Sequence, residues 1–269
     1  INKWKSLKNQ KEIDNFLNKS INLNMKTVTT KDIEKSFGDK AENFSENLLN
    51  TIKSINLNYQ TIENKDLEKI HIEILEKLFL DRQKIGALER TEIWEKGWEE
   101  NLNKFINNPN DESALIPRFI RPGLPIRFFQ KFIKPENKMF ELDYFRIYRL
   151  WLFEKYFKNY ENIYEFGCGT GFNLLEGARL FKNKSFFGSD FVESSVKLVN
   201  SLAKNYNLSN LEAEKFNFIE PNYNYKILNN SLVCTFGALE QINSKFIPFI
   251  DFLRTKKPNI IIHTEPVKE

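Results

Sequence analysis

The chain has 269 residues, of which 41% are hydrophobic and 28% charged, and this composition is typical of a globular protein rather than a disordered one. No run approaches the roughly 20 apolar residues that a membrane-spanning helix needs, and the first residues lack a basic-then-apolar signal pattern. Two cysteines, Cys168 and Cys234, are too few for a disulfide framework, and with His71 and His263 they give no zinc-site spacing. We therefore expect a cytoplasmic protein with no membrane partner.

The net charge of +4 is the small difference between 40 basic and 36 acidic side chains, which are spread along the chain. A protein that binds nucleic acid usually carries a concentrated basic patch. The charge therefore does not favour a nucleic-acid partner, although it leaves one open, and it says nothing about the oligomeric state.

Residues 1–110 show apolar residues at helical spacing and are predicted to form an N-terminal all-helical region. Thr29 and Thr30 precede a charged segment in a capping arrangement, and Asn64 begins a second helix. A third predicted helix starts at Thr91 and has four apolar residues on one face: Trp94, Trp98, Leu102 and Phe105. The two tryptophans fit either core packing or an aromatic wall that faces a substrate.

Residues 111–137 are predicted to form a loop-rich connector or lid, because prolines interrupt any helix there. Basic residues alternate with phenylalanines in this segment, and three of them are candidate substrate contacts: Arg118, Arg121 and Arg127. Arginine makes bidentate contacts with carboxylate or phosphate groups. The segment is therefore either a structured linker or a cover that receives an anionic substrate.

Residues 138–269 begin with an amphipathic helix and then alternate short β-rich runs with helical stretches. This alternation is typical of right-handed βαβ units. It predicts an α/β fold, a Rossmann-like doubly wound and mostly parallel sheet, with the ligand at the carboxyl ends of the strands.

A glycine-rich segment, Glu165-Phe166-Gly167-Cys168-Gly169-Thr170-Gly171, follows the first of these apolar runs and precedes a helix. Its glycines allow a tight turn and a close approach of a ligand to the backbone. The spacing departs from the G-x-G-x-x-G dinucleotide fingerprint, because the third place falls on Phe172. The pattern, an acidic residue followed by Gly-x-Gly-x-Gly, resembles that of the class I S-adenosylmethionine-dependent methyltransferases.

The resemblance implies a cofactor site made by four strand ends. It places Asp190 at the ribose hydroxyls with Phe191 beside the adenine, and it places Asn217 at the adenine amino group. The full implied set for S-adenosyl-L-methionine, or its product S-adenosyl-L-homocysteine, is Glu165, Phe166, Gly167, Cys168, Gly169, Thr170, Gly171, Asn173, Asp190, Phe191, Asn217, Phe218, Gly237 and Leu239. Because family members usually continue beyond the fifth strand, the resemblance also implies that the methyltransferase domain at 138–269 is truncated at its C-terminus.

The range of possible methyl acceptors is limited by motifs of this family that the chain lacks. The family's nucleobase-amine methyltransferases carry an Asn/Asp-Pro-Pro-aromatic run where this chain has Gly237 to Gln241, and its catechol-type members carry a magnesium-binding carboxylate cluster. We expect metal-independent transfer to an oxygen of a small molecule or sugar. Candidates to take the acceptor proton are Glu240, His263, Glu265 and Tyr144.

Two alternatives remain at this point. An RNA or protein methyltransferase would use the basic, aromatic connector as a binding track. A partner subunit without catalytic activity would keep the cofactor-binding fold alone.

Overall fold

The computed structural model of the protein describes residues 25–62, 64–80, 90–117, 120 and 122–265. The chain divides into two compact units, one made of residues 1–80 and 120–151 and the other of residues 81–119 and 152–269. Within the described residues, no helix is both long enough and apolar enough to cross a membrane.

The first unit combines helices with a small antiparallel sheet. Its helices are α1 (Thr30–Phe37), α2 (Glu46–Ser54), α3 (Asn64–Leu80) and the part of α5 (Phe140–Lys155) that ends at residue 151. The strands are β1 (Met25–Thr27), β2 (Asn58–Thr61), β3 (Ile126–Phe128) and β4 (Lys131–Pro135), in the order β1-β2-β4-β3. The predicted cap of α1 is confirmed, since Thr29 and Asp32 form a reciprocal capping box.

The prediction that residues 1–110 are all helical is wrong for β1 and β2. These strands have three and four residues, too few to show a period of two above the helical pattern around them. Their ladder also depends on distant residues, because Tyr59 of β2 pairs with Pro135 of β4. The unit boundary differs as well: α4 (Arg90–Asn107), predicted as part of the N-terminal region, belongs to the second unit.

The prediction of a loop-rich connector at 111–137 is also wrong in part. Residues 126–135 form the hairpin of β3 and β4, whose turn places Phe129 and Gln130 at positive φ, 44° and 63°. Neither residue belongs to the Gly, Asn and Asp set that usually marks such a turn, so the sequence carried no hairpin signal. Residues 112–115 form a short 3₁₀ helix in the second unit, begun by an Asp111 cap.

The second unit contains the predicted parallel sheet. Its strands are β5 (Asn162–Phe166), β6 (Ser185–Asp190), β7 (Leu211–Lys215), β8 (Ser231–Phe236) and β9 (Ile260–Thr264). Their order is β7-β6-β5-β8-β9, and each neighbouring pair is parallel. The helices are α4, α6 (Phe172–Leu180), α7 (Glu193–Asn205) and α8 (Ile247–Lys256), and 3₁₀ segments lie at Phe157–Asn159 and Leu239–Phe246. This is the expected α/β Rossmann-like fold.

Helices cover both faces of this sheet. On one face, Tyr164 and Phe166 of β5 pack in a fully buried aromatic cluster with Phe249 and Phe252 of α8. On the other face, α6 lies so close to β6 that a Cβ on Gly177 would come within 2.4 Å of the Phe186 ring. With both faces covered, the edge at which the parallel strands end stays available for a ligand.

Candidate functional site

The glycine-rich segment forms a tight turn between β5 and α6. Gly167, Gly169 and Gly171 have φ values of 73°, 53° and 72°, a conformation that other residues adopt only with strain. A Cβ on Gly171 would lie 2.5 Å from Cγ2 of Val199, so α7 also requires a glycine there. The predicted turn is therefore present, and its glycines are needed by the backbone and by packing.

The backbone amides of this turn are used within the protein. Gly167 and Cys168 donate to the carbonyl oxygen of Ser189 at 2.6 and 3.1 Å, and Gly171 donates to the carbonyl oxygen of Cys168 at 2.8 Å. The amide of Gly169 donates to Oδ2 of Asp190 at 2.9 Å. A loop that cradles a phosphate directs its N–H groups at the ligand, so this turn suits a ligand without a phosphate at that point.

Asp190 ends β6 and is 4% exposed. Its Oδ1 accepts a hydrogen bond from the amide of Val192 at 3.2 Å, in addition to the bond from Gly169. Burial raises the pKa of Asp190, and these backbone hydrogen bonds act in the opposite direction. The carboxylate thus connects β6 to the glycine turn and to the residue before α7. Its contact with a ribose stays a prediction.

Most of the other residues of the turn are buried. Nδ2 of Asn173, in the first turn of α6, donates to Oε1 of Glu165 at 2.9 Å, and Glu165 is itself buried. Phe166 and Thr170 are buried as well. Burial raises the pKa of the Cys168 thiol well above its usual value, so the sulfur stays protonated and acts as a packing group.

The segment after β7 holds two residues of the predicted cofactor set, and they lie in different environments. Asn217 is exposed, and its Oδ1 accepts from the amide of Ile219 at 2.9 Å. Phe218 is buried and packs against Phe249 with ring centroids 4.5 Å apart. Phe218 is therefore a core residue, whereas Phe191, next to Asp190, is half-buried.

Glu265 organises the loop after β8. Its Oε1 accepts from the Thr235 hydroxyl at 2.7 Å and from the amides of Ala238 and Leu239 at 3.1 and 3.2 Å. Its Oε2 accepts from the amide of Glu240 at 3.2 Å. Four donors surround one carboxylate, so Glu265 stabilises the start of the 3₁₀ segment at Leu239–Phe246 rather than presenting a free base.

Of the two candidate bases at the strand ends, Glu240 is exposed. Its Oε1 accepts from Nε2 of Gln241 at 2.7 Å and lies 3.8 Å from the position of a Cβ on Gly237. Gly237 follows the last residue of β8, has a φ of 59°, and donates its amide to the carbonyl oxygen of Thr264 at 2.8 Å. The Glu240 carboxylate is thus at the carboxyl end of the sheet, as predicted.

His263 of β9 has a defined tautomer. Its Nδ1 lies 2.8 Å from Oγ1 of Thr235, whose proton is donated to Glu265. Nδ1 must therefore carry the hydrogen, which leaves the lone pair on Nε2. Desolvation lowers the pKa of His263, and the Glu265 charge opposes that shift, so the ring is neutral at neutral pH.

The remaining predicted residues are not part of the described second unit. Tyr144 belongs to the first unit, where its hydroxyl donates to Oγ of Ser36 at 2.7 Å and burial raises its pKa. Because that hydroxyl is hydrogen-bonded and burial favours its protonated form, Tyr144 is a poor general base. Arg127 is exposed on β3 in the same unit, and Arg118 and Arg121 lie outside the described residues.

Two residues of α4 lie near the predicted site: Trp98, which the sequence left open between core packing and a wall that faces a substrate, and Glu95, which it did not single out. Trp98 is 9% exposed, and a Cβ on Gly169 would lie 3.1 Å from its Cζ2. Glu95, one turn earlier, accepts from the amides of Glu193 and Ser194 at 2.9 Å each. The sequence showed the helical spacing of the two tryptophans, but it could not show that Trp98 packs against the turn at 167–171.

In the part of the chain that the structure describes, no group of three or more metal-binding side chains occurs.

No family model and no curated protein matches the sequence. Among solved structures, the chain is similar to PKMT2 from Rickettsia typhi in complex with AdoHcy, at 15% identity and a TM-score of 0.33 over 36% of this chain and 19% of that one. A fragment described as StiE O-MT residues 942–1257 shares 15% identity, with a TM-score of 0.37 over 46% of this chain and 44% of that one. The methyltransferase domain of bacterial CtHen1 shares 10% identity, with a TM-score of 0.35 over 42% and 61%.

The chain spans about a fifth of the length of the Rickettsia protein and less than half of the StiE fragment. At these scores the likenesses add no argument about activity. The fold rests on the strand order β7-β6-β5-β8-β9 and on its parallel ladders.

Proposed function

We propose that the chain is an S-adenosylmethionine-dependent methyltransferase that acts, without a metal, on an oxygen of a small molecule or sugar. The observation that carries the proposal is the glycine turn, whose amides at 167, 168, 169 and 171 are satisfied within the protein. A phosphate that met the turn at these four positions would have no free amide to bind, whereas S-adenosylmethionine has no phosphate. The acidic Asp190 at the next strand end supports the same ligand class.

The residues present fit this cofactor. Asp190 accepts from the amides of Gly169 and Val192 and is also bonded by the Ser195 hydroxyl and the amide of Phe191, so a ribose hydroxyl would take the place of one of these donors. Asn217 is exposed beyond β7 and offers an amide to the adenine edge. When bound, the cofactor would supply a methyl group activated by its sulfonium, and the leaving group, the neutral thioether S-adenosylhomocysteine, needs no proton from the protein.

The chain itself must then align the acceptor and take its proton. Glu240 is the stronger candidate, because its carboxylate is exposed at the end of β8. His263 is the second, because its neutral ring carries a lone pair on Nε2. Small-molecule oxygen as the acceptor is supported by the segment Gly237 to Gln241, which lacks the aromatic and proline residues of nucleobase-amine methyltransferases.

Calorimetry tests cofactor binding directly. We expect S-adenosylmethionine and S-adenosylhomocysteine to bind with micromolar dissociation constants, and NAD to bind far more weakly. Asp190→Asn keeps one acceptor for the Gly169 amide but loses the charge, and it should weaken binding about 10-fold or more. Asp251→Asn, at an exposed carboxylate on α8 that pairs with Arg254, is the matched control. Failure of the wild-type protein to bind S-adenosylmethionine, or tighter binding of NAD, would refute the proposal.

Transfer of labelled methyl groups tests the acceptor. The protein is incubated with labelled cofactor and, separately, with small-molecule extract, total RNA and protein. Label in the small-molecule fraction, retained in the presence of EDTA, is expected. Label in RNA or protein alone would replace the small-molecule acceptor, and loss of activity with EDTA would refute the metal-independent mechanism.

Once an acceptor is identified, Glu240→Gln separates the two candidate bases. This change keeps the size of the side chain but removes its basicity, so kcat should fall about 100-fold if Glu240 takes the proton. Glu220→Gln, at another exposed carboxylate, is the control. A nearly unchanged kcat would leave Glu240 a positioning role and make His263 the next residue to test.

A further inference from the structure

The indole ring of Trp98 covers one side of the glycine turn. A Cβ on Gly169 would lie 3.1 Å from Cζ2 and 3.4 Å from Cη2 of this ring, so the ring rests on the bare Cα of the glycine. Trp94 stacks on Trp98 with centroids 5.7 Å apart and an interplanar angle of 27°. Any ligand that lies against Gly169 on this side must touch the indole or displace it.

Several contacts hold the ring in this place. The Glu95 carboxylate binds the amides that open α7, and the Ser194 hydroxyl donates to the carbonyl oxygen of Glu95 at 3.0 Å. Farther along α4, Asn101 is buried and donates through Nδ2 to the carbonyl oxygen of Ala114 at 2.6 Å. The indole is therefore positioned by the attachment of α4 to α7 and to the 3₁₀ helix at Glu112–Leu115, which lowers the conformational cost of using it as a binding surface.

We infer that Trp98, backed by Trp94, is a cofactor-contacting residue that favours the positively charged sulfonium form of the nucleoside over its neutral thioether product. This inference rests on the proposed function. The electron-rich face of tryptophan attracts cations, and the attraction is stronger at a site shielded from water, as this 9%-exposed ring is. The two ligands differ by one methyl group and one positive charge, so an aromatic wall gives the protein a means to bind substrate cofactor more tightly than product.

The affinity ratio of the two ligands is the decisive measurement. Dissociation constants for S-adenosylmethionine and S-adenosylhomocysteine are measured by calorimetry on the wild-type protein and on Trp98→Leu. The substitution keeps an apolar side chain but removes the ring, so the preference for S-adenosylmethionine should fall about 3- to 10-fold. Trp98→Phe, with a weaker aromatic face, should give an intermediate ratio.

Phe105→Leu is the matched control. Phe105 lies on the same helix, is 2% exposed and packs on Tyr206 rather than on the turn. It should lower stability without changing the ratio. If Trp98→Leu fails to fold in a thermal unfolding assay, Trp94→Leu, at a half-buried ring, provides the second variant with the same expected direction.

The outcomes separate the inference from the proposed function. Equal loss of affinity for both ligands, or no loss, in a folded Trp98 variant would make Trp98 a packing residue and refute the inference while the proposed function stands. Absence of binding of either ligand to the wild-type protein would refute both.

Discussion

Removal of the Glu95 carboxylate should loosen the attachment of α4 to the beginning of α7. This carboxylate accepts from the amides of Glu193 and Ser194 at 2.9 Å each. The amides at a helix start have no partner within the helix, so a side chain from α4 here performs the capping that a local Ser or Asp usually performs. Val192, the residue at the cap position, makes no side-chain capping bond.

The expected loss follows from the two hydrogen bonds and the helix dipole. A lost helix cap costs about 0.5 to 2 kcal/mol, and a carboxylate at a helix N-terminus contributes about 0.3 to 1 kcal/mol. One of the two bonds lies at the surface, where water replaces it in part. We therefore expect Glu95→Ala to lower the free energy of unfolding by about 1 to 2 kcal/mol, and Glu95→Gln, which keeps one acceptor oxygen, by about half of that.

Hydrogen exchange and denaturant unfolding provide the measurement. Exchange at the amides of Glu193 and Ser194 should accelerate about 10-fold in Glu95→Ala, because 1.4 kcal/mol corresponds to a factor of ten. Glu99→Ala is the matched control, since Glu99 is an exposed acidic residue one turn later on the same helix. Unfolding free energies and exchange rates that are equal in the Glu95 and Glu99 variants would refute the capping role.

Three further changes test the turns and the titrating histidine. Gly171→Ala should lower the free energy of unfolding by about 2 to 4 kcal/mol, since the new Cβ meets Val199 at a φ of 72°, and an unchanged Tm would contradict this. Gln130→Gly should stabilise the hairpin by about 0.5 to 1 kcal/mol by relieving a φ of 63° at an exposed site, and a lower denaturation midpoint would be the opposite result. The pKa of His263 in the folded protein lies below its ordinary value of 6.5, so the unfolded chain takes up the proton first as the pH falls. The contribution of His263 to the free energy of unfolding should therefore be full above pH 6.5 and should decline as the pH falls toward the pKa of the folded state. In Tm measured against pH, this decline should be smaller in His263→Gln than in the wild-type protein.

The arrangement of the second unit followed from local sequence patterns. Apolar runs such as Asn162–Phe166 are short and continuous because a parallel strand is buried on both faces. The helices between them fix a parallel sheet with right-handed crossovers. The turn was predicted from its three glycines, Gly167, Gly169 and Gly171, because only glycine takes these φ values without strain.

The small sheet of the first unit could not be predicted from local sequence patterns. Its strands have three to five residues, and the pairing of Tyr59 with Pro135 joins residues that are 76 positions apart in the chain. The hairpin turn at Phe129 and Gln130 uses positive φ in residues that rarely adopt it. A local pattern cannot reveal a conformation that is imposed by its surroundings.

By itself, the sequence determined the elements whose causes are local: the parallel βαβ series, the glycine turn, and the capping box of Thr29 and Asp32. Only the tertiary structure decided the surroundings of the site. Trp98 meets Gly169 across 71 positions of the chain, and Glu265 gathers amides that precede it by more than 20 residues. Contacts of this kind depend on how finished elements pack, and packing is set by the shape and burial of all the side chains together rather than by the residues that make the contact.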